Sequence, residues 1–262
     1  MMDILAPRHL SDLRRLSEGK LLLAFDYDGV LAPLARTPQG AHMRPGTKKL
    51  LARLAERYPV AVVSGRAWKD AAGFVDGVSA TVVGNHGFEH GHARAVPKAT
   101  VARVRRWVRA LEASLEGVEG YFIEDKVSTL SIHYGLKRHW RATEAAVHAA
   151  AALLDGARLV HGKHVLNCVP ASFPNKGDAV LRLMKETGSE QAVFCGDDVT
   201  DEDVFAVGPP RIEGVRVGPG ASRARWRLRT QEEMDALLTT WLALRAPSRA
   251  AARRRALVGP AA

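Results

Sequence analysis

Apolar residues in this chain come in short unbroken runs of strand length, and several runs stop at small or acidic residues. Leu21 to Phe25 leads directly into Asp26-Tyr27-Asp28-Gly29. Tyr58 to Val63 stops at Ser64-Gly65-Arg66, Ser79 to Val83 at Gly84-Asn85-His86-Gly87, and Gln191 to Cys195 at Gly196-Asp197-Asp198. Continuous apolar runs suit strands buried on both faces, as in the middle of a parallel sheet. Helical patterns lie between them, over Thr47 to Arg57, Lys176 to Lys185 and Glu232 to Leu244, and Gly214 to Val217 predicts a further short strand. Strand and helix in alternation predict an α/β fold built of βα units around a parallel sheet. Residues 1 to 19 read as a short lead-in, amphipathic at its end.

The pattern changes after Pro97. Thr100 to Leu115 is apolar at Val101, Val104, Val108, Leu111 and Leu115, one face of a basic helix. Tyr121 to Lys126 and Thr129 to Tyr134 alternate as two strands with little between them, which predicts an antiparallel hairpin. An alanine-rich helix over Trp140 to Leu154 follows, then a second strand pair, Ala157 to Val160 and His164 to Val169, turned at Gly162-Lys163. The order αββαββ forms a small sheet covered on one side. Residues 99–169 therefore predict a smaller α/β domain inserted into a core of 1–98 and 170–245. The basic stretch 246–262 predicts a disordered tail.

Charge adds less than its size suggests. The net charge of +10 raises the question of nucleic acid. Aromatic residues make up only 6% of the chain and are not interleaved with the basic runs, so solvated basic faces are expected and no nucleic-acid partner. No apolar run approaches membrane-spanning length, and Met1 to Arg15 lacks a signal-peptide pattern. Cys168 and Cys195, both in apolar runs, predict buried free thiols. A cytoplasmic protein, monomeric or weakly oligomeric, is the expectation.

The polar ends of the runs carry the chemistry. Asp26 and Asp28, alternate residues at a strand end, repel and lose hydration unless a cation lies between them. One parallel sheet would bring them to the same rim as Ser64, Lys176, Asp197, Asp198 and Asp201. Carboxylates from two strands are ligands that Mg²⁺ prefers. A carboxylate can also attack phosphorus, with a metal, a lysine and a hydroxyl neutralising the phosphoryl oxygens.

These motifs, in this order, resemble the four of the haloacid dehalogenase superfamily: Asp26-Tyr27-Asp28-Gly29-Val30-Leu31, Ser64-Gly65-Arg66, Lys176, and Gly196-Asp197-Asp198-Val199-Thr200-Asp201-Glu202-Asp203. Within it, Asn85-His86-Gly87, Ile123 to Lys126, His133-Tyr134 and Trp226-Arg227-Leu228 are similar to the trehalose-6-phosphate phosphatase family. The resemblance implies a Rossmann-like core with an inserted α/β cap. It implies Asp26 as nucleophile, Asp28 as general acid and then base, and Ser64 and Lys176 on the phosphoryl oxygens. Mg²⁺ would be held by Asp26, the backbone carbonyl of Asp28 and Asp197, with Asp201 in support. It further implies substrate contacts from Gly65, Arg66, Asn85, His86, Glu124, Lys126 and His133. Read without the family, Glu124 and Lys126 are a same-face ion pair on a strand, Ser64 a turn residue, Glu202 and Asp203 a solvated helix start, and His90 and His92 a solvated loop.

The cap departs from the family. Asn167 stands where the family has a glutamate, Val169 and Gly135 where it has arginines, and Val30 where it often has threonine. Asn167 still offers a donor and an acceptor to a sugar hydroxyl. The expected activity is Mg²⁺-dependent hydrolysis of a small-molecule sugar phosphate, trehalose 6-phosphate first, through an aspartyl-phosphate. The alternatives are the same chemistry on a related disaccharide or pseudosugar phosphate, and a non-catalytic sugar-phosphate sensor.

Overall fold

The computed structural model of the protein describes residues 1–35, 37, 40–90, 96–135, 140–162 and 164–245. His92, Lys163 and the tail 246–262 lie outside them. The described residues form two compact units, one of residues up to 90 and from 175 onward, the other of residues 96–174.

The first unit begins with β1 (Met2–Asp3), α1 (Leu10–Glu18), β2 (Leu21–Phe25), α2 (Pro45–Ala55), β3 (Val60–Val63), α3 (Trp68–Phe74), β4 (Thr81–Gly84) and β5 (Glu89–His90). The second contains α4 (Lys98–Ser114), β6 (Tyr121–Asp125), β7 (Leu130–Tyr134), α5 (Trp140–Ala151), β8 (Ala157–Gly162) and β9 (Val165–Pro170). The chain then returns with α6 (Lys176–Thr187), β10 (Gln191–Gly196), α7 (Glu202–Phe205), β11 (Ile212–Val217), β12 (Trp226–Leu228) and α8 (Met234–Leu244).

Strand order in the large sheet is β1-β12-β11-β10-β2-β3-β4-β5, parallel throughout except for the β4–β5 pair. The central place of β2 explains its composition. Leu21, Leu23 and Phe25 pack with Leu13, Leu51, Leu237 and Trp241 on one side of the sheet. Leu22 and Ala24 pack with Ala179, Val180, Leu183 and Phe205 on the other. Neither face of β2 meets water, so no position in it can be polar, and each buried leucine stabilises the fold by about 1.5–3 kcal/mol.

Several short pieces depart from the expectation. The lead-in supplies α1 and an edge strand, β1, which pairs with β12 through Met2 and Asp3. The helix α3, the edge strand β5 and the short strand β12 were not foreseen. A two-residue strand carries no readable alternation, and α3 is only 7 residues long.

In the second unit the antiparallel sheet runs β6-β7-β9-β8. Leu130, Ile132, Leu166 and Cys168 point to one face and pack with Val104, Trp107 and Leu111 of α4 and Val147 and Ala151 of α5. The other face carries Phe122, Glu124, Ser131, His133 and Asn167, as period two requires. Among the described residues no helix is long and apolar enough to cross a membrane.

Candidate active site

The carboxyl ends of β2 and β10 lie side by side, because Phe25 pairs with Cys195, and the amide of Asp26 donates to the Cys195 carbonyl at 2.9 Å. After Asp26 the chain folds back at once, with the amides of Leu31 and Ala32 both donating to the Tyr27 carbonyl. Gly29 makes that turn with φ +72°, and a Cβ there would collide with the Asp197 carboxylate. Only glycine satisfies both demands.

The Asp26 carboxylate accepts the Tyr27 amide at 2.6 Å on Oδ1 and the Lys176 ammonium at 2.8 Å on Oδ2. Lys176 is the first residue of α6, whose start is fixed by a reciprocal cap between Asn175 and Asp178. The same ammonium donates to Asp201 Oδ1 at 2.7 Å. Asp201 Oδ2 in turn accepts the amides of Asp197 and Asp198 at 2.8 and 2.9 Å, which shapes the loop after β10. Asp201 is fully buried, and a Cβ on Gly196 would strike it.

Oxygens of Asp26, Asp197 and Asp201 lie within 4.8 Å of one another, three carboxylates against one ammonium. Burial pushes the Asp26 carboxyl up to about 7; Lys176 opposes the rise and Asp201 adds to it. Burial likewise lifts Asp197 to about 8, helped by Asp26 and Asp201. Lys176 is held well above the ordinary lysine range: its own burial opposes this, and Asp201 and Asp26 outweigh it. Oδ1 of Asp197 is buried without a hydrogen-bond partner among the described residues. An all-oxygen donor set with excess negative charge and an unsatisfied carboxylate oxygen suits a hard divalent cation. The cluster could hold a metal ion.

Asp28 is oriented differently. Its side chain lies outside this group and receives both Nε and Nη2 of Arg66, at 2.6 and 2.5 Å. Ser64, fully buried at the end of β3, accepts the Arg66 amide at 3.2 Å, which leaves its hydroxyl hydrogen to donate. Gly65 lies so near His86 that a Cβ would be 2.6 Å from the ring. Asn85 and His86 both have positive φ, and Asn85 Nδ2 donates to Glu89 at 2.6 Å. Glu89 also accepts the amide of Trp68, so it ties this loop to the start of α3. Nothing in the sequence marked Glu89. The Glu202 side chain accepts the amide of Arg223, and His90 pairs with Glu186 at 3.0 Å.

The remaining expected residues share the face of the small sheet opposite Leu130 and Ile132. Glu124 Oε2 lies 2.9 Å from His133 Nε2 and 3.8 Å from Lys126 Nζ. The bond to His133, against partial burial and with help from Lys126, holds the Glu124 carboxyl below its usual range. Asn167 accepts the Ser131 hydroxyl at 2.6 Å and donates to the Val160 carbonyl at 3.2 Å. Ser131 went unnoticed in the sequence; the register of the β6–β7 hairpin, which sets it opposite Glu124 and two residues before His133, is the signal that could have found it.

Residues 24–228 match the trehalose-phosphatase family. The chain is 29% identical over 217 residues to a trehalose 6-phosphate phosphatase of Zea mays, covering 73% of this chain and 60% of the relative. It is 30% identical over 240 residues to a trehalose-phosphate phosphatase of Mycolicibacterium paratuberculosis, covering 87% and 59%. The chain thus spans about 60% of the length of these relatives. Among solved structures, the C-terminal domain of the Candida albicans trehalose-6-phosphate phosphatase superposes with a TM-score of 0.76 at 20% identity, over 93% of this chain and 98% of that one. A sucrose-phosphatase from Synechocystis shares the fold with a TM-score of 0.56 at 17% identity, over 84% and 98%. The architecture is the haloacid dehalogenase-like fold, a mostly parallel α/β sheet with a second, smaller sheet. The chain belongs to the trehalose-phosphatase family.

Proposed function

We propose that the protein hydrolyses the phosphate ester of a disaccharide, trehalose 6-phosphate first, through phosphoryl transfer to Asp26. The observation that carries this reading is the Asp26 carboxylate, bound by Lys176 and grouped with Asp197 and Asp201 at the end of the central strand. A carboxylate fixed in this way is poised for in-line attack, and the Lys176 ammonium beside it lowers the barrier by neutralising phosphoryl charge.

In the first half-reaction an Asp26 oxygen bonds to phosphorus as the bond to the sugar oxygen breaks, and Asp28 gives that oxygen its proton. In the second, Asp28 takes a proton from water as the water oxygen bonds to phosphorus; the bond to Asp26 breaks and inorganic phosphate leaves. Lys176 and the Ser64 hydroxyl hold the phosphoryl oxygens. Asp26, Asp197 and the backbone carbonyl of Asp28 would hold Mg²⁺, with Asp201 in support, since it already serves Lys176 and two amides. When bound, the ion supplies charge neutralisation at the transferring phosphoryl group. The second unit is the cap in this reading, with Glu124, Lys126 and His133 on the sugar hydroxyls. Gly65, Asn85 and His86 shape the rim beside Ser64. The two free buried cysteines fit a reducing, cytoplasmic setting.

Asp26→Asn should abolish release of phosphate from trehalose 6-phosphate, and substantial residual turnover overturns the mechanism. A second reading keeps the chemistry and changes the sugar. It is favoured by Asn167, whose amide is neutral and already engaged by Ser131 and Val160. Comparing kcat/KM over a panel of sugar phosphates separates the two, and a low rank for trehalose 6-phosphate favours the second.

A further inference from the structure

Arg66 was expected to touch substrate, yet its guanidinium is directed to Asp28. Nε donates to Oδ2 at 2.6 Å and Nη2 to Oδ1 at 2.5 Å, a planar fork on both carboxylate oxygens. The fork itself is held. The guanidinium carbon lies 4.8 Å from the centre of the Phe74 ring and 5.7 Å from that of Tyr27, and these two rings stack at 5.0 Å. The Arg66 backbone is anchored at both ends, its amide on the Ser64 hydroxyl and its carbonyl accepting the Asn85 amide at 2.7 Å. The Tyr27 hydroxyl donates to the Ala41 carbonyl at 3.0 Å, which fixes the ring beneath. The Arg66 side chain is 14% exposed and that of Asp28 32%, so Asp28 keeps an open side.

An ionised carboxylate has about four lone-pair sites, and a fork uses one on each oxygen. The other two remain for an incoming proton. A proton taken up on either of these open sites leaves both arms of the fork in place. The geometry therefore matches the half of the reaction in which Asp28 accepts a proton.

We propose that Arg66 is a positioning residue for the hydrolysis of the phosphorylated enzyme. It fixes Asp28 to take one proton from the attacking water, as the water oxygen bonds to phosphorus and the bond from phosphorus to Asp26 breaks. The products are inorganic phosphate and the free Asp26 carboxylate, with the proton on Asp28. This rests on the roles given above to Asp26 and Asp28.

The test uses the full chain with Mg²⁺ and p-nitrophenyl phosphate, an ester whose leaving group needs no proton from Asp28. Arg66→Ala and Arg66→Lys should lower kcat about tenfold or more while kcat/KM, which reports the first half-reaction, stays within about threefold. A burst of p-nitrophenolate should appear, with covalent phosphate retained on the protein by intact mass. Guanidinium at millimolar, non-denaturing concentration should restore turnover to Arg66→Ala and leave the wild type unchanged. If kcat and kcat/KM fall together with no burst, Arg66 is a substrate contact or a packing residue and the proposal fails. Unchanged kinetics overturn it as well. Circular-dichroism melts check the fold, and Arg66→Lys carries the test where the alanine variant does not fold. Asp28→Asn separates the two layers: if it retains no phosphate from a wild type that turns over, the roles of Asp26 and Asp28 fail; if it does and the Arg66 variants do not, only the role of Arg66 fails.

Discussion

Lys176 Nζ lies 2.8 Å from Asp26 Oδ2, with 2% of the lysine side chain and 8% of the aspartate exposed. Truncating one partner of such a pair leaves the other buried and uncompensated, at a cost of about 3–5 kcal/mol. Lys176 also neutralises Asp201. Lys176→Met should therefore destabilise the metal-free protein by that amount in urea unfolding, far more than Asp26→Asn, which removes a charge from a crowded cluster. Equal losses for the two variants would contradict this account.

The raised carboxyls of Asp26 and Asp197, at about 7 and about 8, make stability depend on pH. The folded state holds protons on these groups that the unfolded chain, titrating near the ordinary carboxylate value, has lost. Stability without metal is thus fullest at low pH and falls as pH rises toward 8. A divalent cation competes with those protons, so added Mg²⁺ should raise the Tm more at pH 8 than at pH 5. Melting curves with and without a chelator measure the difference, and a metal-free Tm that rises from pH 5 to pH 8 would refute it.

Gly29→Ala places a side chain at φ +72° against the Asp197 carboxylate. The left-handed backbone alone costs about 1–2 kcal/mol. Because the carboxylate must also move, affinity for Mg²⁺ should fall about tenfold or more, as misplaced ligands predict. Isothermal titration reads this directly, and an unchanged affinity would remove Asp197 from the ion's surroundings.

Ser131 and Asn167 satisfy each other across neighbouring strands of the small sheet. Asn167→Val should cost about 1–3 kcal/mol by leaving the buried Ser131 hydroxyl unpaired. Adding Ser131→Ala should recover much of it, a coupling that a double-mutant cycle measures. Strict additivity of the two losses would show that the bond contributes nothing.

What the sequence revealed follows from how much of each signal is local. The run Leu21 to Phe25 and its acidic end announced a buried strand with carboxylates at its tip, because both faces of β2 are covered. The carboxyl ends of β3 and β10 were readable for the same reason. The insertion was legible from a change of period, from continuous runs to alternation. The orientation of Asp28 was not legible. It depends on a fork from Arg66 and on Phe74, whose ring meets Tyr27 only in three dimensions. Glu89 and Ser131 were hidden in the same way, since each acts through a partner fixed by register or by a turn. The short strands β1 and β12 show no period.

The neighbours of β2 also determine when the site can form. Leu21 pairs with Gln191 and Phe25 with Cys195, so the strand that leads into Asp26 gains that flank only from the far end of the chain. During synthesis β2 and β3 emerge long before β10, and the apolar flank of β2 stays open until the second unit has been made. Non-local parallel pairing of this kind folds slowly and exposes strand edges meanwhile. The smaller unit has its own core and can fold while the larger sheet waits. Truncation anywhere before Gln191 should therefore yield an aggregating chain rather than a folded but weakened one, because it removes the strand that closes the centre of the sheet.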